Sequence, residues 1–135
     1  VKVNTSFLLL SIFLLSACTH TGHLGSMFKS DSQAALYGWV SFDEYVAPVN
    51  TLIDVDVCQV VDEQCISVAR QTYHGVQLPV QYSFVIAPIQ AGEGKMKIRA
   101  VLHSQGEIIA IKEEGYMFTR GRFHQNLKLK AYNNE

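Results

Sequence analysis

The three cysteines are the side chains of this sequence best able to do covalent chemistry. Cys18 closes the run Leu15-Ser16-Ala17-Cys18, which reads as a lipobox: a branched apolar residue, two small residues, then a thiol. Small residues let an extended backbone enter a lipoprotein signal peptidase, and the thiol accepts the diglyceride. Lys2 supplies the basic start and Phe7 through Leu15 the apolar stretch of a signal peptide. A transmembrane anchor needs about 20 apolar residues, and this stretch is far shorter. Cleavage before Cys18 is therefore expected, with residues 1–17 removed. The diacylglycerol and N-acyl lipid on Cys18 is the one covalent group expected, and no other cofactor is. Val1 in first place fits a GTG start codon read as methionine in the cell. Each buried methylene contributes about 0.8 kcal/mol, so two or three acyl chains hold a protein in the bilayer permanently. Thr19 follows the cysteine. Aspartate there would retain an enterobacterial lipoprotein in the inner membrane; its absence points to the outer membrane, with the domain facing the periplasm.

With Cys18 assigned to lipid, Cys58 and Cys65 remain as a pair in an oxidising compartment. Cys58 shares parity with Asp54 and Asp56, and Cys65 with Ser67. In a hairpin turning near Val61-Asp62 both thiols fall on the outer face, directly opposed, where Cβ atoms are about 4.5–5.5 Å apart. A disulfide staple is the reading. A redox-active pair would be Cys-x-x-Cys at a helix start, and that spacing is missing.

The remaining reactive groups make no catalytic pattern. The sequence holds no Gly-x-Ser-x-Gly elbow, no His-Glu-x-x-His, no Walker loop and no dinucleotide fingerprint. Glu113 and Glu114 are neighbours, and neighbours on a strand point to opposite faces. Asp54 and Asp56 share a face without a ligand cluster around them. His20 and His23 lie in a polar segment without further metal ligands. His74, His103 and His124 sit beside turns, and the last two could meet only if the fold brings them together. The expectation is no enzyme and no metal site.

The elements that must position these residues are β-strands behind a tether. Residues 18–34 carry Gly22, Gly25, Ser26, Ser30, Asp31 and Ser32 and have no apolar period. Such a tether reaches roughly 20–25 Å. Residues 35–133 then read as one β domain, large enough for a modest core. Leu36 to Phe42, Thr51 to Val60, Ile66 to Tyr73, Val80 to Ile86, Lys95 to Leu102 and Glu107 to Lys112 alternate apolar and polar residues, and Leu127 and Leu129 alternate with Lys128 and Lys130. Pro88 through Gly94 reads as a loop. About seven short strands, each with one apolar face, imply a small antiparallel β-sandwich. The formal net charge of -1 gives no electrostatic case for nucleic acid.

Two features could bind a partner. Lys95, Lys97 and Arg99 form an outward stripe, and Lys128 with Lys130 forms another. On a shared sheet they would make one face basic; an ordinary solvated face is the other reading. Tyr37 and Trp39 have the opposite parity to Leu36 and Val40, so one set faces out unless the strand is buried on both sides. An exposed Tyr37/Trp39 pair would be a contact; a buried Trp39 is the alternative.

Leu36-Tyr37-Gly38-Trp39-Val40, the Pro48 connection and Asp54-Val55-Asp56-Val57 resemble the YbaY/YscW family of bacterial lipoproteins. Leu78-Pro79-Val80-Gln81-Tyr82-Ser83-Phe84 and Met96-Lys97-Ile98-Arg99-Ala100-Val101-Leu102 extend the resemblance, which covers about Leu36 to Tyr132. The Cys58/Cys65 pair and a short strand between Gly106 and Lys112 depart from the family pattern. The resemblance implies a compact β-sandwich, no catalytic residues, and a pilotin-like role: a lipoprotein chaperone that takes a secretin or other envelope protein to the outer membrane. The alternative is an envelope lipoprotein with a structural role or a small-ligand or sugar site.

Overall fold

The computed structural model describes residues 33–133. The signal peptide, Cys18 and nearly all of the tether lie outside them. Nine strands and one short helix follow in order: β1 (Ala34–Ser41), β2 (Thr51–Val61), β3 (Gln64–His74), β4 (Val80–Ile86), α1 (Pro88–Ala91), β5 (Lys95–Ser104), β6 (Glu107–Met117), β7 (Gly121–His124), β8 (Leu127–Lys128) and β9 (Lys130–Ala131).

Alternation decides which side of each strand is buried. In β2, Ile53, Val55 and Val57 are buried while Asp54 and Asp56 face out. In β5, Met96, Ile98, Ala100 and Leu102 go inward and Lys95, Lys97 and Arg99 outward, as their parity requires. Two residues with positive φ, Asp62 (48°) and Glu63 (66°), turn β2 into β3, and Gln105 (53°) with Gly106 (87°) turns β5 into β6. Paired positive-φ residues match the twist of a tight hairpin.

The strands make two sheets of an all-β sandwich. One runs β3-β2-β5-β6-β9, and the other runs β4-β1-β7 with β8 also on β1. The core packs Leu36, Val40, Tyr82, Phe84 and Ile86 of the smaller sheet with Ile53, Val55, Val57, Ile98 and Leu102 of the larger. Burial of one such side chain contributes about 1.5–3 kcal/mol.

Four features differ from the sequence reading. The sandwich is mostly antiparallel, but β7 and β8 run parallel to β1. β6 extends to Met117, so the strand after Gly106 is long, and the expected departure from the family pattern there is corrected. Its far half reads poorly because Lys112, Glu113 and Glu114 break the apolar alternation. The loop from Pro88 holds one helical turn started by Pro88. The last strand is two strands: Leu127–Lys128 joins β1 in one sheet and Lys130–Ala131 joins β6 in the other, with both leucines buried at the crossing.

Candidate functional site

β1 presents its two parities to opposite environments. Leu36 and Val40 are buried, so Tyr37 and Trp39 point outward, and Trp39 is 45% exposed. Gly38 lies between them because a side chain does not fit: a Cβ there would collide with the Gln125 carbonyl. That carbonyl accepts a hydrogen bond from the Tyr82 hydroxyl, and the Trp39 N–H donates to Asn126 Oδ1 at 3.1 Å. The segment between β7 and β8 is thereby tied down against β1.

Register builds a surface around the pair. Tyr37 lies between Ser83 of β4 and His124 of β7, and Ala35 lies between Val85 and Arg122. The Arg122 guanidinium carbon sits 5.1 Å from the Tyr37 ring centre, within cation–π range, and the His124 ring lies 5.2 Å away, tilted. Val85 is 61% exposed. Sequence reasoning found Tyr37 and Trp39 but missed Val85, Arg122 and His124. Gly121-Arg122-Phe123-His124 does alternate, yet over a length too short to read as a strand.

The outer face of the larger sheet has the opposite character. Lys95, Lys97 and Arg99 lie on it as expected, and carboxylates stand beside Arg99 and Lys97. Arg99 pairs across the strands with Asp56 on one side and Glu113 on the other, and Lys97 Nζ bonds Glu113 at 2.8 Å. Asp56 accepts from Arg70 at 2.7 Å and Ser67 at 2.5 Å; Asp54 accepts from Thr72 at 2.6 Å. The hydrogen bond and charge of Asp56 hold the Arg70 pKa above its ordinary value. The stripe is one row of a face that carries both signs of charge. Lys128 and Lys130 do not add to it as a pair, because they sit on different sheets; Lys128 instead reaches Asp43 at 2.9 Å.

Cys58 and Cys65 are joined, with Cα atoms 5.3 Å apart. Direct opposition is corrected to a diagonal: Cys58 pairs with Ser67, and Cys65 with Val60. A bulge at Val57/Cys58 shifts the register there. Cys58 lies between Ser67 and Lys97 in mid-sheet and is only 1% exposed, although it is on the outer side.

The other candidate groups stay apart. His74 and His103 flank Leu52 and line a cleft of about 570 Å³ with Asp54; His103 Nε2 is 3.7 Å from Asp54. His124 is on the other sheet, so it does not meet His103. Among the described residues no three His, Cys, Asp or Glu side chains are grouped to hold a metal. Glu113 faces Lys97, whereas Glu114 accepts from Lys112 and from Gln125.

Two strand edges are closed by side chains. Gln71 and Tyr73 of β3 reach over to β4: Gln71 Nε2 donates to the Ser83 carbonyl at 2.8 Å and Tyr73 Oη to the Gln81 carbonyl at 3.1 Å. Gln90 of α1 donates to the Val68 carbonyl at 3.1 Å. On the opposite side β9 covers only Ala110 and Ile111 of β6. A cleft of about 480 Å³ opens there, with Phe42, Leu129 and Ala131 in its lining and Lys112, Lys128 and Lys130 around it.

No model of a known protein family matches the chain, and no curated protein sequence does. Its fold is similar to a solved structure described as an alternative pilotin from the type II secretion system of Vibrio cholerae. The TM-score is 0.61 at 18% identity, covering 76% of this chain and 99% of that one. At that identity the likeness concerns the fold.

Proposed function

We propose that this protein is a non-enzymatic, lipid-anchored envelope protein that binds and escorts a protein client, as a pilotin does. The observation that carries the reading is the fold it shares with a secretion pilotin over 99% of that chain. The lipobox at Cys18 supports an anchor in the outer membrane, with the sandwich on the periplasmic side. The YbaY/YscW resemblance agrees with both.

A sandwich holds a client by strand addition at an edge or by taking a helix in a groove. Side chains of Gln71, Tyr73 and Gln90 occupy part of the β3 and β4 edges, which disfavours strand addition there. The cleft beside Leu129 and Phe42 is the better client site: it sets the apolar side chains of Phe42, Leu129 and Ala131 among charged ones of both signs, and it borders the part of β6 that β9 leaves uncovered. The Tyr37–Trp39 face is a second contact surface.

The test is secretin location and multimer formation in a deletion strain. Wild type is expected to restore both, and Cys18→Ser to restore neither. Unchanged secretin assembly in every secretion system of the host would remove the pilotin reading.

A further inference from the structure

We propose that the outer face of the smaller sheet, centred on Tyr37, Trp39 and Arg122, docks on an anionic membrane surface. The inference rests on the lipid-anchor reading for how the domain reaches the membrane. It does not rest on the identity of any client.

Charge asymmetry is the first ground. Among the described residues, the outward positions of β1, β4, β7 and β8 hold Ala35, Tyr37, Trp39, Ser41, Gln81, Ser83, Val85, Arg122, His124 and Lys128, and no carboxylate. Lys128 is matched by Asp43, but no ion pair among the described residues engages Arg122 or the exposed Arg120 just before β7. The outer face of the larger sheet instead sets the carboxylates of Asp54, Asp56 and Glu113 among Arg70, Lys95, Lys97 and Arg99. The overall charge is -1, so the cationic face is a local arrangement. An anionic occupant meets no outward carboxylate on the smaller sheet and three on the larger.

Side-chain type is the second ground. Tryptophan and tyrosine settle at the headgroup level, where an apolar ring and a polar edge are both accommodated. Basic residues beside them gain from anionic lipid. Trp39 and Val85 supply exposed apolar area, and Arg122 supplies charge beside Tyr37.

Shape and chain path are the third. None of the clefts described above is lined by Tyr37, Trp39, Val85 or Arg122. A client helix needs a groove, whereas a sheet face without one suits a broad planar partner. β1 starts at Ala34, sixteen residues after Cys18, so the strand bearing the aromatic pair is the described element nearest in sequence to the proposed anchor. Docking would hold the sandwich at the membrane and leave the Leu129 cleft to the client.

The test uses the chain from residue 18 onward with Cys18→Ser, so that no lipid contributes. Trp39 is the single tryptophan, and its emission reports directly on this face. Co-sedimentation with phosphatidylglycerol vesicles and a blue shift of Trp39 emission are expected; phosphatidylcholine vesicles should give neither. High salt should weaken the binding. Arg122→Glu should lower affinity about tenfold or more, since each basic residue near an anionic surface contributes appreciably. Val85→Glu should weaken it as well, while Arg99→Glu, on the other sheet, should change it less than about twofold. Circular dichroism of each variant establishes that it is folded. Equal binding to both lipids, no binding to either, or equal losses from Arg122→Glu and Arg99→Glu would overturn the proposal. Unchanged secretin assembly in the deletion strain, with intact vesicle binding, would overturn the pilotin reading alone.

Discussion

At the scale of single residues, the disulfide and Gly38 carry the sharpest expectations. Cys58–Cys65 closes a loop with a sequence separation of only seven residues. Its stabilisation is therefore modest, about 2–3 kcal/mol at most. Cys65→Ser should lower the unfolding free energy from urea titration by that amount and leave the fold intact, whereas intact-mass analysis of the wild type without reductant should find both thiols oxidised. Free thiols in folded periplasmic protein would refute the bond. Gly38 is constrained from without. Its missing side chain makes room for the Gln125 carbonyl, which also takes the Tyr82 hydroxyl. Gly38→Ala must push the β7–β8 connection away from β1, and a cost of about 1–3 kcal/mol is expected in denaturant titration. A substitution neutral at Gly38 would mean that the connection gives way freely.

At the scale of elements, the seam between β6 and the smaller sheet is held by tyrosines that ionise late. Burial pushes Tyr116 up to about 12 and raises Tyr82 as well, the latter also through Tyr116 and Glu114 nearby. A raised folded-state value means that the folded protein holds these protons more tightly than the unfolded chain, whose tyrosines titrate near 10. The stability involved is complete below about pH 10 and is lost as pH climbs through about 12. Urea midpoints measured across that range should fall more steeply for wild type than for Tyr116→Phe, whose hydroxyl contacts Met96 Sδ. Equal slopes would exclude Tyr116 as a source. On the far side, Tyr73 closes the β4 edge through the Gln81 carbonyl. Tyr73→Phe should cost about 1 kcal/mol, the typical contribution of one hydrogen bond.

At the scale of the whole molecule, the two sheet faces differ in character, and the proposed anchor adds a third feature to test. The outer face of the larger sheet carries charges of both signs, and that of the smaller carries aromatic side chains and Arg122 without a carboxylate. The anchor is tested separately from either. Cys18→Ser should leave an unprocessed precursor that takes up no labelled palmitate. Normal processing and membrane retention of that variant would remove the lipidation reading without touching the vesicle experiment, which is done on unlipidated chain.

What could be read in one dimension was whatever depends on parity and local turns. The apolar faces of β2, β4 and β5 follow from alternation alone, because a strand turns successive side chains to opposite sides. The hairpin at Asp62-Glu63 and the outward setting of Cys58, Cys65, Lys97 and Arg99 follow in the same way. The proposed signal at Leu15-Ser16-Ala17-Cys18 is local too, since an enzyme would read it in an extended chain, but it lies outside the described residues. Pairing between distant strands was not legible. Whether Tyr37 or Leu36 faced the core depended on which sheet packed over β1. The partial neutralisation of the Lys95–Arg99 stripe depended on β2 and β6 bringing Asp56 and Glu113 alongside. The surface around Tyr37 depended on β7, a four-residue strand that pairs in parallel with β1 from more than eighty residues away. Its own sequence is too short to specify that pairing; only the closing of the two sheets over a shared core selects it.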